Sequence, residues 1–446
     1  MAHPHDSEPP PPSGNGRPLF EKETPPSTTD PDPEKLAHPE PKGKTPPDGG
    51  RQAWLHVFLG HMVFFNTWGV TNSYGTFQQY YTETLGVAPS SVSWIGAVPM
   101  FLFFFVGVGA GRASDAGYFR HTFTAGVILE VGGVVAASFA RTYWQILLSQ
   151  GVCLGLGGGL MFTSGLSVTS AYFQRKRSFA VGLAAAGAAT GGMAYPATVT
   201  SLLDTSLGYP WTMRVVALIM LVTSIPGLLL YRQFHTRGSV GPLVDWTAFT
   251  QKPFVFFSLA FFLHSSGLWC VFFYLGVFAR ERLHLASTQT LVIVLNGVGV
   301  VGRTLPNLLG ERAVGTMNMS IFLSAVCALC ILAWPAISSI TGLYVWIVIY
   351  GIFAGGMQSV LPALATQQCD DPHKIGTWTG MALTMASFGG LSGSPIQGLL
   401  IQVMDGSYLG AQMYAGAAVV AGCLCLIACR QTRVASLGWT TVWARI

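Results

Sequence analysis

From Ala53 to Arg430 the chain is a near-continuous series of apolar runs, each about the length that crosses a lipid bilayer. A spanning helix needs about 20 mostly apolar residues. Twelve runs meet that length: 53–75, 91–111, 121–140, 143–171, 179–202, 211–231, 253–279, 287–310, 316–338, 341–364, 377–402 and 409–430. Charge is correspondingly scarce. Only 10% of all residues are Asp, Glu, Lys or Arg, where a soluble globular chain carries about 25%. Fifteen of the 43 charges fall within residues 1–52. The rest of the chain could not cover itself in water. The expected fold is all-α and polytopic, with 12 transmembrane helices in two six-helix bundles.

The longest gap, residues 232–252, divides the series into two sixes. This sets five expected regions: a tail over 1–48, a bundle over 49–231, a linker over 232–252, a second bundle over 253–430 and a C-terminal tail over 431–446. The first tail holds 14 of the 26 prolines and too little apolar area to offset chain entropy, so it reads as disordered. It lacks the apolar core of a signal peptide. With that tail inside, the inner loops and the C-terminal end hold Arg112, Arg120, Arg175, Lys176, Arg177, Arg232, Arg237, Lys252, Arg312, Lys374, Arg430, Arg433 and Arg445. The outer side holds Arg141, Arg214, Arg280 and Arg282. Thirteen against four places both termini in the cytoplasm, with Arg280 and Arg282 as the local exception. The Arg175–Arg177 cluster reads as an anchor on lipid phosphates.

No Walker GxxxxGK[ST], HExxH or plausible GxSxG site occurs, and the basic residues form no stripe. An enzyme, an ATP-driven pump, a nucleic-acid binder and a protein with a cofactor or metal site are therefore not expected. The eight cysteines imply no disulfide framework. Glycines four apart recur at Gly151/Gly155/Gly159, Gly187/Gly191, Gly351/Gly355 and Gly389/Gly393. Such spacing lets helix backbones approach closely. The runs involved hold equivalent places in the two sixes, as in bundles that rock against each other. Pro99, Pro196, Pro306, Pro362 and Pro395 fall inside runs, where neighbours can re-satisfy the backbone.

The loop GRASDAGYFR (111–120) and its counterpart NLLGERAVG (307–315) each combine an acid with a base. They resemble the signature cytoplasmic loop of the major facilitator superfamily, with Ala116 in place of the usual basic residue. PDGGRQAW (47–54), TWGVTNSYGTFQQYY (67–81) and YFQRKRSFAVGLAAAGAATGG (172–192) look like the monocarboxylate-porter branch in its fungal form, as do LVDWTAFTQKPF (243–254) and GRTLPNLLGER (302–312). Arg51 stands where the first motif usually has an aromatic residue. The resemblance implies alternating access, with the first, fourth, seventh and tenth helices lining a central cavity. In animal members a Lys, an Asp and an Arg couple protons to carboxylates. Arg303 matches the Arg, but Gly299 stands at the Asp position and Asn72 or Ser73 at the Lys position. Proton-linked monocarboxylate symport is therefore not implied.

Several residues are candidates within this frame. Arg303, a charge inside a helix, reads as an anchor for an anionic group or as a structural, snorkelling arginine. Thr67, Thr71, Tyr74 and Gln78 form one polar stripe, bordered by Asn66 and Asn72, that either lines a cavity or hydrogen-bonds between helices. His264, Trp269, Asn296 and Gln358 are further substrate-binding candidates. Glu130 is the acid placed deep in an apolar run; desolvation favours a neutral carboxyl, which suits a proton-coupling residue or a hydrogen-bonded helix contact. Asp115, Arg120, Glu311 and Arg312 are expected to form cytoplasmic ion pairs that hold the inward-closed state. The reading is a secondary transporter of a small organic molecule in the cell membrane, directed to efflux of a secondary metabolite, with protons as a possible partner. Uptake of a monocarboxylate or other organic acid is the first alternative; a transport-dead nutrient sensor is the alternative of another class.

Overall fold

Each of the twelve apolar runs is helical in the computed structural model, and no strand occurs among the described residues. The structure describes residues 47–436 except 174–175, 204, 234–243, 286–287 and 370–373. The tail assigned to the N-terminus lies outside the described residues up to position 46, as do residues 437–446 and Arg175 of the basic cluster. The helices are α1 (Gly50–Asn72), α2 (Tyr74–Leu85), α3 (Pro89–Ala113), α4 (Phe119–Ala137), α5 (Tyr143–Ile146), α6 (Leu154–Ala171), α7 (Arg177–Ala185) and α8 (Gly187–Leu203). They continue as α9 (Gly208–Leu230), α10 (Lys252–Leu283), α11 (Gln289–Leu309), α12 (Thr316–Ala333), α13 (Ile340–Ala365), α14 (Ile375–Val403) and α15 (Leu409–Ser436).

Among the described residues, eight stretches are long and apolar enough to cross a membrane by length and composition alone. The runs that fall below this measure correspond to α1, α4, α7 with α8, and α14. Of these, α7 (9 residues) and α8 (17 residues) are each too short, and α1, α4 and α14 carry polar residues such as His56, Glu130 and Gln397 within them. Three predicted runs are subdivided, one of them 143–171, where a π-helical stretch over Leu147–Cys153 separates α5 from α6. Ser73 interrupts the first run, where its hydroxyl donates to the Gly69 carbonyl at 2.6 Å, and α2 then extends the helix to Leu85. Ala186 separates α7 from α8.

Packing repeats between the first and second sets of helices. In the first, α8 lies on α1 and α6 lies on α3; in the second, α14 lies on α10 and α13 lies on α11. Each contact uses the predicted small-residue spacing. A Cβ at Gly191 would sit 2.2 Å from the Phe65 carbonyl oxygen of α1. A Cβ at Gly393 would sit 2.2 Å from the Ser266 carbonyl oxygen of α10. Only a bare backbone fits at that distance, and dispersion contacts over the shared length then hold the pair. The two acid-and-base loops also match. Each contains a π turn, at Ser114–Tyr118 and Gly310–Val314, and a glycine at positive φ, Gly117 (95°) and Gly315 (92°). Of the residues expected to pair there, Arg120 is exposed, whereas the side chains of Asp115, Glu311 and Arg312 lie outside the described set.

The two sets meet along α3 with α14 and α8 with α11. At the end of the molecule remote from the start of α1, further ties close the seam. Tyr74 meets Phe273 edge-on at 5.0 Å, Ser93 and Tyr274 share a 2.6 Å hydrogen bond, and Arg280 pairs with Glu83 at 2.9 Å. This last contact gives Arg280 a structural role despite its exceptional place in the charge distribution. Both partners are about half exposed, so the pair is worth at most about 1 kcal/mol.

At the opposite end, Asp245 fixes the segment before α10. Its carboxylate accepts from the Thr247 hydroxyl at 2.6 Å and the Trp378 indole at 3.1 Å, and lies 3.0 Å from Lys374 Nζ. Hydrogen bonds from Thr247, then Lys374 and Trp378, hold this carboxyl well below the usual carboxylate range. A lowered folded-state pKa adds stability that is complete above the unfolded pKa and is lost as pH falls through the folded one. Asp245→Asn should therefore lower the thermal midpoint in detergent at pH 7. The gap to wild type should start to shrink below about pH 4, the ordinary aspartate range. An equal gap at pH 7 and at strongly acid pH would contradict this.

Candidate functional site

A cavity of about 240 Å³ lies between the two sets of helices. It runs from the buried pair Trp68 and Trp269 to the exposed Gln367 just beyond α13. That end of the molecule also carries the start of α1, where Asp48 N–H donates to the Tyr172 carbonyl beyond α6 at 3.2 Å. The cavity therefore opens on the face that carries the start of α1, and the ties at Tyr74, Ser93 and Arg280 close the other. Its walls come from α1, α6, α10 and α13, as the resemblance implied, with further residues from α3, α7, α8, α11 and α13's C-terminal extension.

Arg303 is the one charged side chain among the described lining residues. It is 2% exposed, and its Nη2 donates to Gln358 Oε1 at 2.6 Å. No carboxylate lies within ion-pair distance of it among the described residues. The local sequence makes room for it: a Cβ at Gly299 would be 2.8 Å from Arg303 Nη1. Asn307, one turn on, donates to the Arg303 carbonyl at 2.8 Å and to Ser359 at 2.9 Å, pinning α11 to α13. A buried guanidinium with one neutral partner keeps donors in fork geometry for a carboxylate or similar anion.

His264 and Trp269 also line the cavity, so Arg303, His264, Trp269 and Gln358 share one wall system. The polar atoms of His264 are engaged elsewhere. Nδ1 lies 2.7 Å from the Ala260 carbonyl, which can only accept, so the proton sits there. Nε2 then accepts from Ser324 of α12 at 2.6 Å. The ring acts as a strut between α10 and α12.

The other candidates are not part of the lining. Thr67 and Thr71 donate to carbonyls four residues back, at 2.8 and 3.2 Å. Tyr74 donates to the Val92 carbonyl at 2.5 Å and Gln78 reaches Ser93 at 3.5 Å, both at the closed end. Asn72 donates to the Ala188 carbonyl at 3.1 Å and binds α1 to α8. Asn66 joins Tyr195, Thr223 and Ser224 within the first set of helices. Asn296 donates to its own helix at Val292 and packs against Gly192 across the seam. The polar stripe is thus divided between its own backbone and helix contacts. Glu130 is fully buried where α4 touches α6 at Gly157, away from the cavity, and neither carboxyl oxygen has a hydrogen-bond partner among the described residues.

Sequence reasoning sets Phe-rich runs in packing or against lipid, and so misses the apolar lining, above all Trp68, Phe104 and Phe162. The run FLFFF (101–105) illustrates why. Phe104 lines the cavity, Phe103 is packed and Phe105 is exposed. Residue type is the same at all three, and only helix rotation separates them.

Residues 58–394 match the family profile described as Major Facilitator Superfamily. The chain belongs to the major facilitator superfamily. It is 38% identical over 396 residues to an MFS-type transporter of Gibberella zeae, covering 87% of this chain and 89% of that one. It is 30% identical over 400 residues to the aspyridones efflux protein apdF of Emericella nidulans, covering 87% and 80%. Among solved structures, it is similar to a bacterial homologue of the human lysosomal transporter Spinster, described as inward-facing and unoccupied. The TM-score is 0.63 at 16% identity, covering 86% of this chain and 98% of that one. The match is at the level of the superfamily and does not single out the monocarboxylate-porter branch. As a member, the protein is a multi-pass membrane transporter for small organic molecules and not an enzyme.

Proposed function

We propose that this major facilitator protein exports a small organic anion, of the secondary-metabolite kind, across the cell membrane by alternating access. Both termini are cytoplasmic in this reading, so the cavity faces the cytosol and is loaded there. The observation that carries the proposal is Arg303, a buried cation without a carboxylate partner among the described residues, on the wall of an otherwise largely apolar cavity. Gly299, and Asn72 or Ser73, at positions where porters of small monocarboxylates carry charge, favour export over proton-linked uptake. The relative named for aspyridones efflux supports the same direction.

Closing the cytosolic side and opening the other must break the ties at Tyr74, Ser93 and Arg280. These are ring contacts, a neutral hydrogen bond and an exposed ion pair, all weak enough to exchange. The test is counterflow of radiolabelled organic acids in proteoliposomes of known orientation. Accumulation against preloaded unlabelled acid supports transport, and binding without counterflow would point to a sensor. Proton-driven accumulation of small monocarboxylates from the outer face would favour uptake.

The proton site in this reading is Glu130, placed on α4 against α6, which also forms cavity wall. Glu130→Gln keeps size and burial while removing the titrating group. Its transport rate should lose most of its dependence on pH across pH 5–8. A wild-type pH profile in a folded variant would remove Glu130 from the mechanism.

A further inference from the structure

Six aromatic side chains line the cavity: Phe64 and Trp68 of α1, Phe104 of α3, Phe162 of α6, and Phe261 and Trp269 of α10. They form one connected set. Trp68 and Trp269 stack across the seam at 5.6 Å and 17°. Phe162 meets both Trp68 and Phe64 edge-on, at 5.7 and 5.1 Å, and Phe104 contacts Trp68, Phe162 and Phe261. No tyrosine and no Asp or Glu is present among the described lining residues. The wall therefore offers π faces and ring edges but no phenol and no charged acceptor.

This composition is selective. Leu or Ile would bury an aliphatic body equally well, whereas rings recognise rings through their quadrupoles, negative on the face and positive at the edge. The Trp68–Trp269 pair closes the inner end of the cavity, and both rings belong to its wall. Behind them, Phe272 packs on Trp269 at 5.3 Å and its carbonyl abuts Gly75, which seals the far side. A planar molecule entering from the open end meets these rings without disturbing that seal. The volume of about 240 Å³ lies just below the range of most small-molecule sites, roughly 300–1,000 Å³. It suits a compact fused-ring body.

We propose that the Trp68/Trp269 wall is a ring-binding subsite, so that the transported anion carries a planar aromatic or conjugated body. This rests on the transport reading given above and adds the substrate's chemical class. Trp68 and Trp269 are its specificity-determining residues, and Arg303 takes the charge.

The probe is 2-naphthoate, with decahydro-2-naphthoate as the saturated acid of the same skeleton and 2-naphthamide as the neutral ring. Binding to the full-length protein in detergent is measured by equilibrium dialysis and thermal stabilisation. Wild type should bind 2-naphthoate at least about 10-fold more tightly than the saturated acid, since each aromatic pair contributes roughly 2- to 10-fold. Trp68→Leu and Trp269→Leu should each narrow that ratio about 3- to 10-fold, with most of it kept in Trp68→Phe and Trp269→Phe. Equal binding of the two acids by wild type, absence of naphthoate binding, or an unchanged ratio in folded Leu variants would overturn the proposal. Because the wild-type ratio is itself decisive, a variant that misfolds does not shield it. Counterflow separates the two readings. Equal counterflow of both acids would sink ring recognition and leave transport standing. Selective binding of 2-naphthoate without counterflow would sink transport and leave the subsite standing.

Discussion

Replacing Arg303 by glutamine should lower the apparent affinity for an anionic substrate about 10- to 100-fold while leaving the fold intact or slightly more stable. The two effects have one cause. A hydrogen bond to a charged group is worth about 1.5–3 kcal/mol, and each 1.4 kcal/mol is tenfold in affinity. Without substrate, the guanidinium has Gln358 as its neutral partner and no carboxylate among the described residues. Its burial is therefore a cost to the empty protein, and removing such a charge is often neutral or stabilising. Arg303→Lys keeps the charge but loses the fork, and should fall between. Gly299→Asp offers a complementary result. Its Cβ would lie 2.8 Å from Arg303 Nη1, so the new carboxylate would occupy the guanidinium and compete with an external anion. Affinity is read from counterflow or dialysis and stability from thermal unfolding in detergent. Unchanged anion affinity in Arg303→Gln would dispose of the anchor.

The second large effect concerns folding. Gly393→Leu and Gly191→Leu should each lower the thermal midpoint by several degrees and sharply reduce the yield of monodisperse protein. Even the Cβ alone would meet a carbonyl oxygen at 2.2 Å, on α10 in one case and α1 in the other. The helices would have to separate along a shared interface, and overpacking of this kind costs about 1–3 kcal/mol before the rest of a leucine is added. Gly132 supplies the control. A Cβ there meets nothing within 4 Å, so Gly132→Ala should be neutral or gain up to about 1 kcal/mol of helix propensity. If all three variants behaved alike, close backbone approach would not be what holds α10 to α14 and α1 to α8.

The small-residue spacing was legible because at Gly187, Gly191, Gly389 and Gly393 the partner is another backbone, whatever the neighbour's side chains. The polar stripe on α1 was less so. Its spacing correctly places Thr67 and Thr71 on one face, but a helical hydroxyl can bond the carbonyl one turn back, and both do. Spacing therefore tells which residues share a face, not what that face meets. His264 teaches the same point from the other side. It reaches the cavity, yet both ring nitrogens are held by α10 and α12.

What the amino-acid order determined by itself is the solvent: long runs of apolar residues with charge mostly at their ends partition into lipid, and that preference is a local sum over each run. It also determined where helices touch closely and that Arg303 is an anomaly within its run. Only the tertiary structure decided that Trp68, Phe104 and Phe162 surround the cavity with Trp269, and that Arg280 meets Glu83. An aromatic side chain is equally at ease against lipid, against a neighbour or on a cavity wall. Which of these it meets depends on the rotation and partner of its helix, and neither is written in its own segment.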